Sequence, residues 1–276
     1  MSYADDVFRT NCRQILEQGI WDDAYPVRPR WEDGTPAHTK RCFAICNRYD
    51  LSREFPLLTL RRTYFRSALD EILWIWQKKS NNVQDLRSHI WDAWADETGS
   101  IGKAYGYQMG VKHHFPEGEM DQVDLVLYQL KQDPQSRRIL TNLFVHSDLA
   151  QMRLYPCAYS LTLHVSNGRL NGLLNQRSQD MLVANNWNVC QYAALLMMLA
   201  QVSGFQPGEL VHMIADAHIY DRHIPLVEKL LTRTPYPAPQ VLLDPKVTDF
   251  YAFTLDSFQV VDYEYHEFDD PIPVAV

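Results

Sequence analysis

The stretch YSLTLHVSNGRLNGLLN, residues 159–175, decides the fold. Two runs rich in apolar residues flank Asn167-Gly168, the dipeptide that best suits a two-residue hairpin turn. The predicted unit is an antiparallel hairpin. Further strands are expected at 41–49, 138–144 (RILTNLF) and 210–219 (LVHMIADAHI). Helices are expected at 6–19, 63–79, 121–132 and 188–202, with Ala68, Leu69, Ile72, Leu73 and Trp76 at helical spacing in the second. Residues 21–39 hold Pro26, Pro29, Gly34 and Pro36 and read as a loop. Helices and strands mix without regular βαβ alternation, so the expected class is α+β, in one domain over 1–276.

Composition narrows the function. The net charge of −8 disfavours a nucleic-acid surface, which needs a basic face, but leaves room for a small anion held by a few arginines. The polar, acidic start MSYADDVFRTN is unlike a secretory leader, and there is no apolar run long enough for a membrane span. The 5 cysteines are odd in number and form no C-x-x-C pair, which points to reduced thiols and a cytoplasmic protein.

Several residues carry possible chemistry. Cys157 is either a small buried apolar residue or a nucleophile; the second role requires a thiolate, and hence nearby positive charge. Arg137-Arg138 and Arg177-Ser178 supply charge, either as solvated surface or as a phosphate cradle. Arg177-Ser178 lies between apolar Leu173-Leu174 and Met181-Leu182-Val183, so its guanidinium needs a partner or a ligand. Arg28, in the proline-bounded loop, is a further candidate. His218 and Tyr220 share a strand face and suit a sugar hydroxyl; a metal reading with His223 lacks a third ligand at suitable spacing. Glu71, amid Leu69, Ile72, Leu73 and Trp74, either points outward or is a buried functional carboxylate.

In order along the chain, these segments resemble the folate-dependent thymidylate synthase family. The resemblance rests on Phe55-Pro-Leu-Leu-Thr-Leu-Arg61, Glu71-Ile-Leu-Trp74, Ile90-Trp-Asp-Ala-Trp94 and Tyr105-Gly106. It continues through Asp133-Pro-Gln-Ser-Arg-Arg138, Pro156-Cys157, Gln176-Arg-Ser-Gln-Asp180, Asn188, Asp216-Ala-His-Ile-Tyr220 and the terminal Pro273-Val-Ala-Val276. Residues 74–81 and the Asp33–Thr39 loop are most similar to a Bacillus- and phage-type branch.

The resemblance implies a large mixed β-sheet covered by helices, a homodimer packed through sheet faces, and reductive methylation of dUMP to dTMP. The carbon donor and reductant would be 5,10-methylenetetrahydrofolate, with no metal. It implies Cys157 as the nucleophile, helped by Arg177, with Glu71, Tyr105, Asn188 and Asp180 also catalytic. Phosphate would be held by Arg28, Arg177 and Ser178, with Arg137 and Arg138 from the second subunit. The nucleotide would also meet Gln176, Gln179, Asp180, Asn188, His218 and Tyr220. The folate would meet Tyr64, Glu71, Trp91, Trp94, Asp180, Ala184 and Ala275, the last closing over the site with Val276.

This chain departs from the family pattern at Ala158, which follows the nucleophile, and at Val183-Ala-Asn-Asn-Trp-Asn188. There Ala184 stands for a glycine and Asn186-Trp187 for Pro-Phe, next to the expected stacking surface. Two alternatives follow. One is a pyrimidine-nucleotide hydroxymethylase of the same fold, in which water replaces hydride; the other is a catalytically weak nucleotide- or RNA-binding relative.

Overall fold

The computed structural model describes residues 2–276, and the hairpin at its centre has the expected turn. Strands β6 (Ala158–Ser166) and β7 (Arg169–Gln176) pair antiparallel with Ser166 opposite Arg169. Asn167 (φ 51°) and Gly168 (φ 72°) both take positive φ, as a type I′ turn demands.

The other elements, in chain order, are α1 (Tyr3–Gln18), β1 (Ile20–Trp21), β2 (Thr39–Asp50), α2 (Phe65–Trp76), α3 (Gly106–Gly110), β3 (His113–Phe115), β4 (Gly118–Met120), α4 (Gln122–Gln132) and β5 (Leu140–Asn142). After the hairpin come β8 (Gln179–Asp180), α5 (Asn185–Ser203), β9 (Gln206–Tyr220), α6 (Ile224–Leu231), β10 (Gln240–Leu243) and β11 (Phe258–Val261). The main sheet has 7 strands in the order β1-β2-β9-β7-β6-β5, with β8 added on β9. β9 runs parallel to β7 and β8 and antiparallel to β2, so the sheet is mixed.

One sheet face is the core. Leu161, Leu163, Leu170, Leu174, Leu210 and Ile214 alternate inward and are buried. Against them lies α5, apolar on nearly all sides and ending at Gly204, whose φ of 78° suits a left-handed helix cap. Helix α2 packs on α5. The opposite sheet face carries Leu173, Val211 and Met213, half-buried; Phe43, next to Ala44 with its positive φ of 61° in β2, is 86% exposed.

Boundaries move where side chains capture backbone groups. The strand expected over 138–144 shrinks to Leu140–Asn142, because Asn142 Oδ1 accepts the Phe144 N–H and turns the chain away. The helix expected over 63–79 is Phe65–Trp76, with the Thr63 N–H bound to Tyr263 Oη and Lys79 at φ 53°. The helix expected over 188–202 begins earlier, at Asn185, after Asp180 accepts the Leu182 and Val183 N–H groups. Trp187, Asn188 and Gln191 thereby share one helical face. Among the described residues no helix is long and apolar enough to cross a membrane.

Candidate active site

Two cavities flank the contact between Cys157 and Arg177: Cys157, which follows Pro156 at the entrance to β6, lines one, and Arg177 lines the other. The first, of about 370 Å³, is lined by Cys157, Tyr105, Asn188, Glu71, Trp91 and Trp94, with Tyr64, Ala184, Trp187, Gln191, Ile272 and Val274. The second, of about 290 Å³, is lined by Arg28, Arg177, Ser178, His218 and Tyr220, with Arg41, Asp22 and Asp216. The first is largely aromatic and suits a flat ligand; the second is cationic and polar and suits an anion attached to a sugar.

Arg177 is the hinge between them. Its guanidinium donates to Pro156 O (3.0 Å) and Tyr155 O (2.8 Å), and one nitrogen lies 3.6 Å from Cys157 Sγ. Burial pushes the thiol above its usual range, while the charges of Arg177 and Arg28 pull it down. The expectation that Arg177 favours the thiolate has its physical basis, but burial is the larger effect in the protein alone. The Cys157 N–H donates to Tyr105 Oη at 3.1 Å. Tyr105 is held at φ 46°, and the next residue, Gly106, passes so close to Ser80 that a Cβ there would lie 2.0 Å from its carbonyl oxygen. Only glycine fits, and the contact fixes the loop that aims the phenol.

Glu71 does not point outward. It is 5% exposed on the inner side of α2, and burial pushes its carboxyl up to about 7. Trp187 Nε1 donates to it at 2.5 Å, which offsets part of that rise. The larger residue in the remodelled loop thus turns its polar edge to the buried carboxylate.

His218 and Tyr220 are neighbours as predicted, with ring centroids 5.3 Å apart. Asp216 Oδ1 lies 2.9 Å from His218 Nδ1, and Asp216 also pairs with Arg41. Asn188 Oδ1 accepts from Gln176 Nε2 (3.1 Å), and Asn188 Nδ2 donates to Gln191 (3.1 Å).

Other expected residues lie outside the two cavities. Gln176 is buried behind Asn188, and Gln179 is 1% exposed beside Asp180. Asp180 sits under the 181–184 turn, 3.7 Å from His223 Nδ1. Burial acts to raise its carboxyl, but contact with His223 outweighs this and holds it low. Arg137 and Arg138 are exposed on the turn before β5 and line neither cavity. Ala275 also lines neither, though Ile272 and Val274 of the same tail line the first. The tail is tied down by paired backbone hydrogen bonds between Val276 and Arg30 (2.9 and 3.0 Å) and by His223 Nε2 on Pro273 O (2.7 Å).

Gln191 and His212 escaped sequence reading, since a glutamine in an apolar helix and a lone strand histidine carry no motif. No group of three or more His, Cys, Asp or Glu among the described residues could hold a metal.

A family model described as thymidylate synthase matches residues 6–276. A thymidylate synthase of Bacillus licheniformis is 44% identical over 270 residues, covering 96% of each chain. Thymidylate synthase 1 of Bacillus subtilis strain 168 and the thymidylate synthase of Bacillus phage phi3T are each 42% identical over the same length and coverage. The solved structure of thermostable thymidylate synthase A from Bacillus subtilis superposes with a TM-score of 0.95 at 40% identity, covering 100% of both chains.

Proposed function

Since the chain belongs to the thymidylate synthase family and methylates dUMP to dTMP, we propose how its own residues divide that work. The carbon donor and reductant is 5,10-methylenetetrahydrofolate, which supplies a one-carbon unit and then a hydride. The aromatic first cavity fits it: Trp91, Trp94 and Tyr64 offer ring faces, Ala184 and Trp187 form the wall opposite, and Glu71 gives a buried proton-exchanging group.

The deoxyribonucleotide binds across both cavities. Its phosphate lies on Arg28, Arg177 and Ser178, and its sugar hydroxyl on His218 and Tyr220. Its pyrimidine faces Asn188, whose amide can donate to O4 and accept from N3–H. Cys157 Sγ, as thiolate, adds to C6 and makes C5 nucleophilic toward the transferred carbon. The C5 proton then leaves, with Tyr105 in the surrounding polar network. Glu71 relays protons through water; its carboxyl near 7 can both give and take one at neutral pH. Asp180 contacts the folate, and Gln176 and Gln179 back the nucleotide. The tail, with Ala275 and Val276, closes over the site and excludes water.

We place the protein in the cytoplasm as one domain over 1–276 and as a homodimer. The half-buried sheet face with Leu173, Val211 and Met213 supports pairing, and pairing gives exposed Arg137 and Arg138 a partner phosphate to reach.

The observation that carries this reading is the Arg177 contact with Cys157 Sγ, which joins an anion-binding cavity to a thiol facing an aromatic one. Tritium release from 5-tritiated dUMP tests it. Cys157→Ala should abolish release in the presence of the folate; release at the wild-type rate sinks the mechanism.

A further inference from the structure

Behind Asn188 a directional chain of buried hydrogen bonds runs through the protein. Gln191 Nε2 donates to the Ala68 carbonyl (3.1 Å), and Gln191 Oε1 accepts from Asn188 Nδ2 (3.1 Å). On the other side Gln176 Nε2 donates to both Asn188 Oδ1 (3.1 Å) and the Ser178 carbonyl (3.1 Å), and Gln176 Oε1 meets His212 Nε2 at 2.8 Å. Gln176, Gln191 and His212 are each 2% exposed or less.

A backbone carbonyl can only accept. The Ala68 carbonyl therefore requires the amino end of Gln191, which turns the Gln191 oxygen toward Asn188. That oxygen in turn requires the amino end of Asn188. The Ser178 carbonyl imposes the same sense from the opposite side through Gln176, and His212 completes the chain as an Nε2–H donor. The Asn188 amide is thus polarised from both flanks by groups that cannot reverse. Its second N–H and second lone pair remain for a base.

Uracil presents an N3–H donor beside an O4 acceptor, whereas cytosine presents an N3 acceptor beside an amino donor. Flipping a primary amide exchanges its two ends, so an unrestrained asparagine could serve either base. We propose that Gln191 is a specificity-determining positioning residue, holding the Asn188 amide in the one direction that accepts uracil and rejects cytosine. The inference rests on Asn188 as the residue that reads the pyrimidine. Gln176 alone provides one flank; Gln191, one helical turn from Asn188 and anchored on α2, provides the other.

The test is the ratio of dissociation constants for dUMP and dCMP, measured by calorimetry on the full protein. The ratio cancels effects common to both nucleotides, including any change at Glu71. Gln191→Met, near in volume and with only a weakly accepting sulfur, should shift the ratio toward dCMP by about tenfold or more, the scale of one buried mispaired polar group. Gln191→Glu still presents an oxygen to Asn188 and should stay within about threefold of the wild-type ratio. If the methionine variant does not fold, Gln191→Ala replaces it: water filling the gap can donate or accept, so the amide is released and the ratio should shift likewise toward dCMP. An unchanged ratio in a folded Met or Ala variant overturns the proposal. Asn188→Ala is run alongside. If it collapses the ratio while Gln191→Met does not, only the role of Gln191 fails; if Asn188→Ala also leaves the ratio unchanged, the reading of the base by Asn188 fails with it.

Discussion

Trp187 donates its indole N–H to a carboxylate oxygen of Glu71 at 2.5 Å, across the interface between α5 and α2. This contact joins the helix that carries Asn188 to the one buried glutamate of the first cavity. It partly compensates a carboxyl that burial holds near 7.

Glu71 sets a pH dependence of stability. Its folded pKa lies above the unfolded value, so the native state binds the extra proton between roughly pH 4.5 and 7. Its contribution to stability therefore declines as pH rises through that window and stays low above it. Glu71→Gln, which keeps the acceptor for Trp187, should gain about 1–3 kcal/mol over wild type on going from pH 4.5 to pH 8. Urea melts at the two pH values measure this. A gap between the proteins that does not change with pH would show that Glu71 is not the buried titrating group. Activity should be largely lost at both.

Arg177 sets thiol reactivity. Removing its charge leaves Cys157 with burial alone, which raises the thiol further. In Arg177→Met the rate of iodoacetamide modification at Cys157 at pH 8 should fall about tenfold, the effect of one pKa unit. An added unstructured cysteine peptide serves as the reaction control. Equal slowing at Cys157 and in the peptide would count against a specific effect, and the KM for dUMP should rise with the loss of a phosphate ligand.

His223 latches the tail. It is fully buried, with Nε2 on the Pro273 carbonyl and Nδ1 facing Asp180. Burial acts to lower its pKa, but Asp180 prevails and the net shift is upward. Its stabilising effect is therefore complete below the unfolded value near 6.5 and lost as pH rises through the folded one. His223→Phe should speed carboxypeptidase release of Val276 about tenfold or more, on the order of the loss of one hydrogen bond to a charged group, and more at pH 6 than at pH 9. Release rates identical to wild type at pH 6 would remove the latch.

Phe43 reports on pairing. Its ring, on β2, is 86% exposed, and a second copy packed over the sheet would remove that apolar surface from water. Phe43→Asp should convert the protein to monomers in sedimentation velocity and lower activity, because Arg137 and Arg138 then reach no phosphate. A monomeric wild-type protein with full activity would refute the shared site.

Much of the fold was legible because it rests on local rules. Asn167-Gly168 encodes its turn through left-handed backbone preference, and the apolar runs of α2 and α5 encode burial. Strand ends were less legible. β5 stops where Asn142 takes a backbone N–H, a choice made by one side-chain rotamer. Among site residues, Cys157, Arg177, Asn188, His218 and Tyr220 stood out by their residue types and order, and the structure brings them to the same pair of cavities. Gln191 and His212 did not stand out, since their value lies in which carbonyls and amides they face.

The sequence by itself determined the inventory: a thiol, an arginine-serine pair, an amide, a carboxylate amid apolar neighbours, and a chain order that marks the family. Tertiary structure alone decided their chemistry. Whether Glu71 was a surface charge or a buried acid depended on α5 packing over α2, because desolvation arises only when distant segments exclude water together. The direction of the Asn188 amide depended on two backbone carbonyls, at 68 and 178, far apart in sequence. Hydrogen-bond polarity at a buried amide is set by whatever faces it, and only the folded chain brings those groups into place.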